Sequence, residues 1–390
     1  MVASEAIERP SPTKTRGWLI AVVFAFVAAL AVAGIAVGGE VGQVMLAGVE
    51  SLPLMVLAML AYLGATRGWA KLLTLLWLFV LVLVIGLSSL VLSFEALLRE
   101  ADLVGGSSQV ALDVDARYLA IFFGLAVSPL VGLLGFLGPV RRALSRVVPI
   151  DPNSFVHAVA LVTVVTMTMM GFVPLLVLSV PPLLSIVAEL TTESEAFVGR
   201  GNWGMLRDDL YALVWMIPAT IFAVGFGIQR SLGESLARLG LVLPSRRQLA
   251  VGLGLGVGMA LAMQLLDIGI EWVWASMGWT PTDEEAFGKL TAYTMSPVGA
   301  LVTGVTAGLG EELAVRGVLQ PRLGILLSNL FFTGLHAMQY NWDALLVVFL
   351  LGLVMGIIRW KSNTTTSAVT HGSYDFCVIM ADVLQIPWLL

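Results

Sequence analysis

The residues of this chain whose types and spacing can do chemistry are Glu311, Glu312 and Arg316, then His336, then His371 and Asp375. Two adjacent carboxylates and a guanidinium sit in the apolar segment Pro297 to Leu319. There, an ionised group costs at least about 2.5 kcal/mol at a membrane's centre. Glu312 and Arg316 are spaced i,i+4, share a helix face and can pair. Glu311 points about 100° away and is left over for chemistry. A buried ion pair plus a boundary glutamate, serving helix packing alone, is the plainer reading of these three residues. Two histidines beside an orphan carboxylate shift the balance, because an isolated imidazole in a span is expensive.

A carboxylate beside an imidazole at this depth can polarise water, as a general base directly or through a bound metal. Asp375 follows His371 by one helical turn. Together they can donate hydrogen bonds to the oxyanion of a tetrahedral intermediate. The implied reaction is hydrolysis of an amide in a membrane-inserted substrate. No serine elbow, CxxC pair, HExxH zinc motif or basic nucleic-acid patch in the chain competes with it.

For these residues to meet, separate helices must bring them to one level. The turn between the helices of Glu311 and His336 centres near Leu323 and Gly324, about 12 residues from each. Both then lie roughly 18 Å from it in an antiparallel hairpin. His371 is about 10 residues, or roughly 15 Å, from Lys361 at the next helix boundary.

Composition allows such helices and little else. With 58% hydrophobic and 12% charged residues, the chain falls among polytopic membrane proteins. Its apolar runs predict an all-α, polytopic transmembrane helical bundle of about eleven spans. These are 18 to 38, 44 to 64, 72 to 94, 118 to 137, 156 to 188, 210 to 229, 250 to 270, 295 to 320, 324 to 340, 344 to 360 and 365 to 386. Pro174, Pro181 and Pro182 predict a kink or interfacial tail in the fifth. Basic residues such as Lys14, Arg16, Arg67, Lys71, Arg141, Arg142, Arg246, Arg247 and Lys361 favour one face, which puts the N-terminus in the cytoplasm. The acidic loops Glu95 to Asp115, Glu189 to Asp209 and Glu271 to Glu285 fall on the other face and read as solvated.

Ser231 to Leu249 reads as an amphipathic cytoplasmic connector, residues 231–249. It separates an N-terminal transmembrane bundle of about six spans, 1–230, from a C-terminal core, 250–390. The intramembrane acids Asp267, Glu311, Glu312, Asp375 and Asp382 all fall in that core. Gly252/Gly256 and Gly254/Gly258 predict the close approach of another helix. The single cysteine, Cys377, rules out an internal disulfide and a Cys-based metal cluster.

Glu-Glu-x-x-x-Arg at Glu311, Glu312 and Arg316, Phe-x-x-x-His at Phe332 and His336, and His-x-x-x-Asp at His371 and Asp375 resemble the CPBP family of intramembrane proteases. That family contains the CAAX prenyl endopeptidases and bacterial abortive-infection-like relatives. The resemblance runs from about Gln248 to Leu390 and implies a CPBP-type catalytic helix core in an intramembrane endopeptidase. By that likeness, Glu311 activates water with His336, Glu312 and Arg316 support the site, and His371 with Asp375 holds the oxyanion. The chain departs from the family twice. Its gap from Glu311 to His336 is short, and Asp375 stands where Asn is commonest. An oxyanion role for Asp375 therefore requires a protonated carboxyl; otherwise it orients His371 or binds a metal. The family is described both as metal-dependent and as a metal-free glutamate enzyme. No cofactor is certain, and a divalent metal such as zinc on Glu311, His336 and His371 fits the same residues.

The implied partners are a membrane-associated protein or peptide substrate and the lipid bilayer, with no nucleic acid. The Ala/Gly/Leu-rich composition points to a bacterial inner membrane, where a C-terminal anchor, peptide precursor or sorting signal is the natural substrate. A non-catalytic membrane scaffold or immunity factor is the alternative, and a proton-coupled transporter ranks below it.

Overall fold

A computed structural model describes residues 18–104, 116–188 and 201–386. Lys14 and Arg16, the second half of the first acidic loop and most of the second lie outside the described residues. The described chain is helical from end to end, with no β-strand. Its first half runs through α1 (Trp18–Val37), α2 (Gly39–Ala47), α3 (Leu52–Gly64), α4 (Gly68–Val104), α5 (Ala116–Leu133), α6 (Gly138–Leu144), α7 (Phe155–Leu178), α8 (Pro182–Ala188) and α9 (Gly201–Ala223). The second runs through α10 (Leu232–Leu239), α11 (Arg246–Met277), α12 (Glu284–Thr291), α13 (Pro297–Glu312), α14 (Gln320–His336), α15 (Trp342–Lys361) and α16 (Thr364–Val383).

Among the described residues, six helical stretches are long and apolar enough to cross a membrane, or seven if the bent pair Gly39–Glu50 and Leu52–Gly64 counts as one crossing. The protein is an integral, multi-pass membrane protein. The count falls below about eleven for physical reasons. The expected spans at 295 to 320 and 324 to 340 are one helical stretch, Pro297–His336, broken at Gly324. Two other full-length helices carry polar groups that lower their hydropathy: α9 has Arg207, Asp208 and Asp209, and α16 has the buried Thr364, Thr365, Thr366 and Ser367. The expected kink in the fifth span is a clean break, since α7 ends at Ser179 in a left-handed conformation and α8 starts at Pro182.

At Gly324, with φ 75° and ψ 175°, the chain leaves helical geometry and folds back. Arg316 and Phe332, equally far from Gly324 along the chain, then meet, with the guanidinium 4.5 Å from the ring centroid. This is the hairpin that the spacing of Glu311 and His336 requires.

Backbone contact between α13 and α16 sets the opposite wall. A Cβ on Gly372 would stand 2.3 Å from the Gly304 carbonyl oxygen, and one on Gly308 would stand 2.7 Å from the Gly372 nitrogen. Only glycine permits so close a crossing, the usual way for membrane helices to associate when lipid tails are as apolar as their side chains. The other face of α16 meets α11 in the same manner, where a Cβ on Gly256 would lie 2.4 Å from that of Ser373. Of the two glycine pairs noted in α11, Gly252/Gly256 makes this approach, whereas Gly254 and Gly258 have nothing within 4 Å. The connector helix α10 opens with a capping box between Ser231 and Glu234. It is pinned to the core by Arg238, which donates to the Gly317 carbonyl at 3.0 Å.

Replacing Gly372 with Leu should force α13 and α16 apart and destabilise the fold by about 1–3 kcal/mol. Gly254→Ala should be neutral or stabilising by roughly 0.5–1 kcal/mol, since alanine is the better helix former. Thermal unfolding in detergent reads both, and equal effects at the two positions would contradict the packing described.

Candidate active site

Glu311 and Glu312 close α13, and a π-helical turn, Leu313–Leu319, follows at once. Such wider turns are rare and concentrate at functional sites. Across this one Glu312 and Arg316 still pair, with Arg316 Nη1 3.3 Å from Glu312 Oε1 and side-chain exposures of 1% and 0%. Ions so buried need further partners. Ser367 donates to Glu312 Oε2 at 2.6 Å. His371 Nδ1 lies 3.1 Å from Glu312 Oε1 and donates to it, because a carboxylate only accepts. Arg316 Nη2 donates to the Gly352 carbonyl at 3.0 Å, and the guanidinium face covers the Phe332 ring. Arg359 Nε donates to the Arg316 carbonyl at 3.2 Å, holding the π turn from α15.

Glu311 differs from its neighbour. Its side chain is 36% exposed, against none for Glu312. Its Oε2 lies 3.9 Å from His371 Nε2, and Asp375 Oδ2 lies 3.6 Å from the same nitrogen. One ring of His371 thus joins the buried carboxylate on its Nδ1 side to two more accessible ones on its Nε2 side. His336 Nδ1 sits 2.9 Å from the Phe332 carbonyl. Since a carbonyl can only accept, Nδ1 carries the hydrogen and Nε2 is left as the basic nitrogen.

Glu311, His336, His371 and Asp375 line one cavity of about 960 Å³. The expected convergence of three helices on a common level is therefore what the fold produces. The far wall comes from the first half of the chain, with Met55 of α3, Val159 and Met167 of α7, and Met216 of α9 among its lining residues. Behind the site, a smaller cavity of about 200 Å³ brings Asp267 of α11 to His336, His371 and Asp375.

Three participants went unnoticed in the sequence. Ser367 is one, although it precedes His371 by one turn on the same face and was legible by that spacing. The Gly352 carbonyl carries no side-chain signal. The lining from α3, α7 and α9 is a matter of tertiary packing, which local pattern does not report.

Among the described residues, no group of three or more His, Cys, Asp or Glu side chains is arranged to hold a metal ion. Glu311, His336 and His371 line the same cavity without forming such a group. His371 has its Nδ1 committed to Glu312 and keeps its Nε2 on the side of Glu311 and Asp375.

Residues 294–377 match the family model described as Rce1-like, type II CAAX prenyl endopeptidase. The matched segment contains the three motifs from which the resemblance was drawn. No curated protein and no solved structure matches the chain.

Because Glu312 is buried among three partners and Glu311 faces a cavity, their amides should behave differently in the folded protein. Glu312→Gln should cost about 3–5 kcal/mol by leaving Arg316 without its countercharge. Glu311→Gln should stay within about 0.5 kcal/mol of the parent. Denaturant or thermal unfolding in detergent distinguishes them, and equal losses would contradict the division of roles.

Proposed function

Taking residues 294–377 as a segment of CAAX prenyl endopeptidase kind, we propose that this multi-pass membrane protein is an intramembrane endopeptidase. It hydrolyses a peptide bond in a membrane-associated protein or peptide. The observation that supports this reading is that Glu311, His336, His371 and Asp375 line one cavity while Glu312 is sealed behind them.

The reaction uses these side chains in the following way. A water held between Glu311 and His336 Nε2 gives its proton to the Glu311 carboxylate as its oxygen attacks the scissile carbonyl. His336 can orient this water because its Nδ1–H is spent on the Phe332 carbonyl. The tetrahedral intermediate carries its charge on the former carbonyl oxygen. His371, doubly protonated, donates Nδ1–H to Glu312 and offers Nε2–H to that oxyanion. Asp375, whose Oδ2 is 3.6 Å from His371 Nε2, adds a second donor when its carboxyl is protonated. Collapse of the intermediate breaks the C–N bond, and the Glu311 carboxylic acid returns the proton to the leaving amine. Arg316 and Ser367 act through Glu312 and do not touch the substrate.

Within this reading, residues 250–390 form the protease core, 231–249 the connector, and 1–230 the bundle that walls the cavity. The basic face is cytoplasmic, as is the N-terminus, in a bacterial inner membrane. Candidate substrates are C-terminal anchors, peptide precursors and sorting signals.

Glu311→Gln should lower cleavage by at least about 10²-fold, the usual worth of a positioned general base. Comparing the membrane proteomes of cells carrying the parent and the variant should show uncut substrate accumulating only with the variant. Identical proteomes at equal protein abundance would favour a non-catalytic scaffold.

A further inference from the structure

Beyond the four site residues, the cavity's lining includes Arg322, which is only 5% exposed. It belongs to a second cluster of charge. Arg322 Nη1 donates to the Val318 carbonyl at 2.8 Å and its Nη2 to the Tyr62 hydroxyl. Arg230 Nη1 donates to the same hydroxyl at 3.0 Å and also to the Val224 carbonyl. The two guanidiniums stand 5.6 and 5.8 Å from the Tyr62 ring centroid. Arg238 makes its one hydrogen bond to the Gly317 carbonyl. Burial, together with Arg322, Arg230 and Arg359 nearby, pushes its guanidinium down to about 9.

Among the described residues, no carboxylate forms an ion pair with Arg230, Arg238 or Arg322. Glu234, which feels Arg230, has its Oε2 taken by the backbone and hydroxyl of Ser231. Partly buried guanidiniums crowded together without a countercharge are costly, and the cost falls when an anion joins them. Their neutral partners leave several N–H donors over, among them the Nε of each of the three.

Of the three, Arg322 lines the largely apolar cavity, on the side proposed above to be the basic, cytoplasmic face. Beyond Arg322, the cavity continues along α13 and its π turn past Leu319, Val318, Val315 and Ala314. Apolar chains fill such a space more favourably than water does. A charged group at its end, in line with basic residues between helices, is the arrangement that holds an anionic headgroup. Three guanidiniums favour phosphate over carboxylate. A carboxylate's two oxygens match one arginine fork, whereas a phosphate bridges several.

We propose that Arg230, Arg238 and Arg322 form a binding site for the phosphate of an anionic phospholipid, whose acyl chains enter the Arg322 end of the cavity. Such a lipid occupies part of the space a substrate would use, so membrane composition sets how readily the cavity admits one.

The test is native mass spectrometry of the purified full-length protein with equimolar phosphatidylglycerol and phosphatidylcholine of identical chains. The parent should retain phosphatidylglycerol in preference by about tenfold or more, each basic contact being worth about 1 kcal/mol. Arg322→Gln should bring the two lipids near parity. Because Arg322 also ties α14 to α3, the double variant Arg230→Gln/Arg238→Gln serves as an independent second test with the same expected result. Arg247→Gln, an exposed arginine at the start of α11, should change nothing. No preference in the parent, or a preference that survives in both arginine variants, overturns the proposal. Displacement of phosphatidylglycerol by millimolar inorganic phosphate reassigns the site to free phosphate and overturns the lipid assignment. Displacement by a transmembrane peptide ending in a free carboxylate, but not by its amide, overturns it in favour of a substrate terminus.

Discussion

Everything near the site depends on one carboxylate with no access to solvent. Glu312 is fully buried, and its two oxygens engage Arg316, Ser367 and His371. A carboxylate placed so deep is tolerable only when every lone pair is engaged, and losing one partner costs several kcal/mol. That requirement ties α13 to α16 through Ser367 and His371. It ties the π turn to α15 through the Gly352 carbonyl, which Arg316 reaches. It also consumes the Nδ1–H of His371, so the other ring nitrogen faces Glu311 and Asp375. The orientation of the group proposed to hold the oxyanion thus follows from satisfying a buried charge.

Such a network needs helices closer together than ordinary side chains permit. Gly304, Gly308 and Gly372 let α13 and α16 touch backbone to backbone, and without that contact Ser367 could not reach Glu312. On the opposite side, Gly171 of α7 meets Gly334 of α14, where an added Cβ would lie 2.2 Å from the carbonyl oxygen. This second crossing brings the first half of the chain against the hairpin and makes it a wall of the cavity. The N-terminal helices are therefore more than bulk facing lipid.

Much of this was legible in the residues. The i,i+4 pairing of Glu312 with Arg316 and of His371 with Asp375 holds, and the equal spacing of Glu311 and His336 about Gly324 does mark a hairpin. These readings work because helix periodicity and charge burial are local constraints. The span count read less well, because hydropathy assumes that a crossing helix faces lipid. α16 faces protein on several sides and carries a row of threonines that hydrogen bond within the fold, such as Thr370 to the Thr366 carbonyl at 3.0 Å. Gly254 and Gly258 repeat the spacing of Gly252 and Gly256 on an unpacked face, so spacing alone does not reveal a contact. The arginines around Tyr62 come from α9–α10, α10 and α14, and only tertiary structure joins them.

The chain has three histidines, which makes its imidazoles individually readable by nitrogen NMR after selective 15N labelling. His157 accepts from the Asp151 backbone at Nδ1, whereas His336 and His371 both donate from that atom. The account predicts that Glu312→Gln moves the ring signals of His371 and leaves those of His157 in place. Unchanged His371 signals in a folded Glu312→Gln protein would contradict the claim that the buried carboxylate sets the geometry of the site.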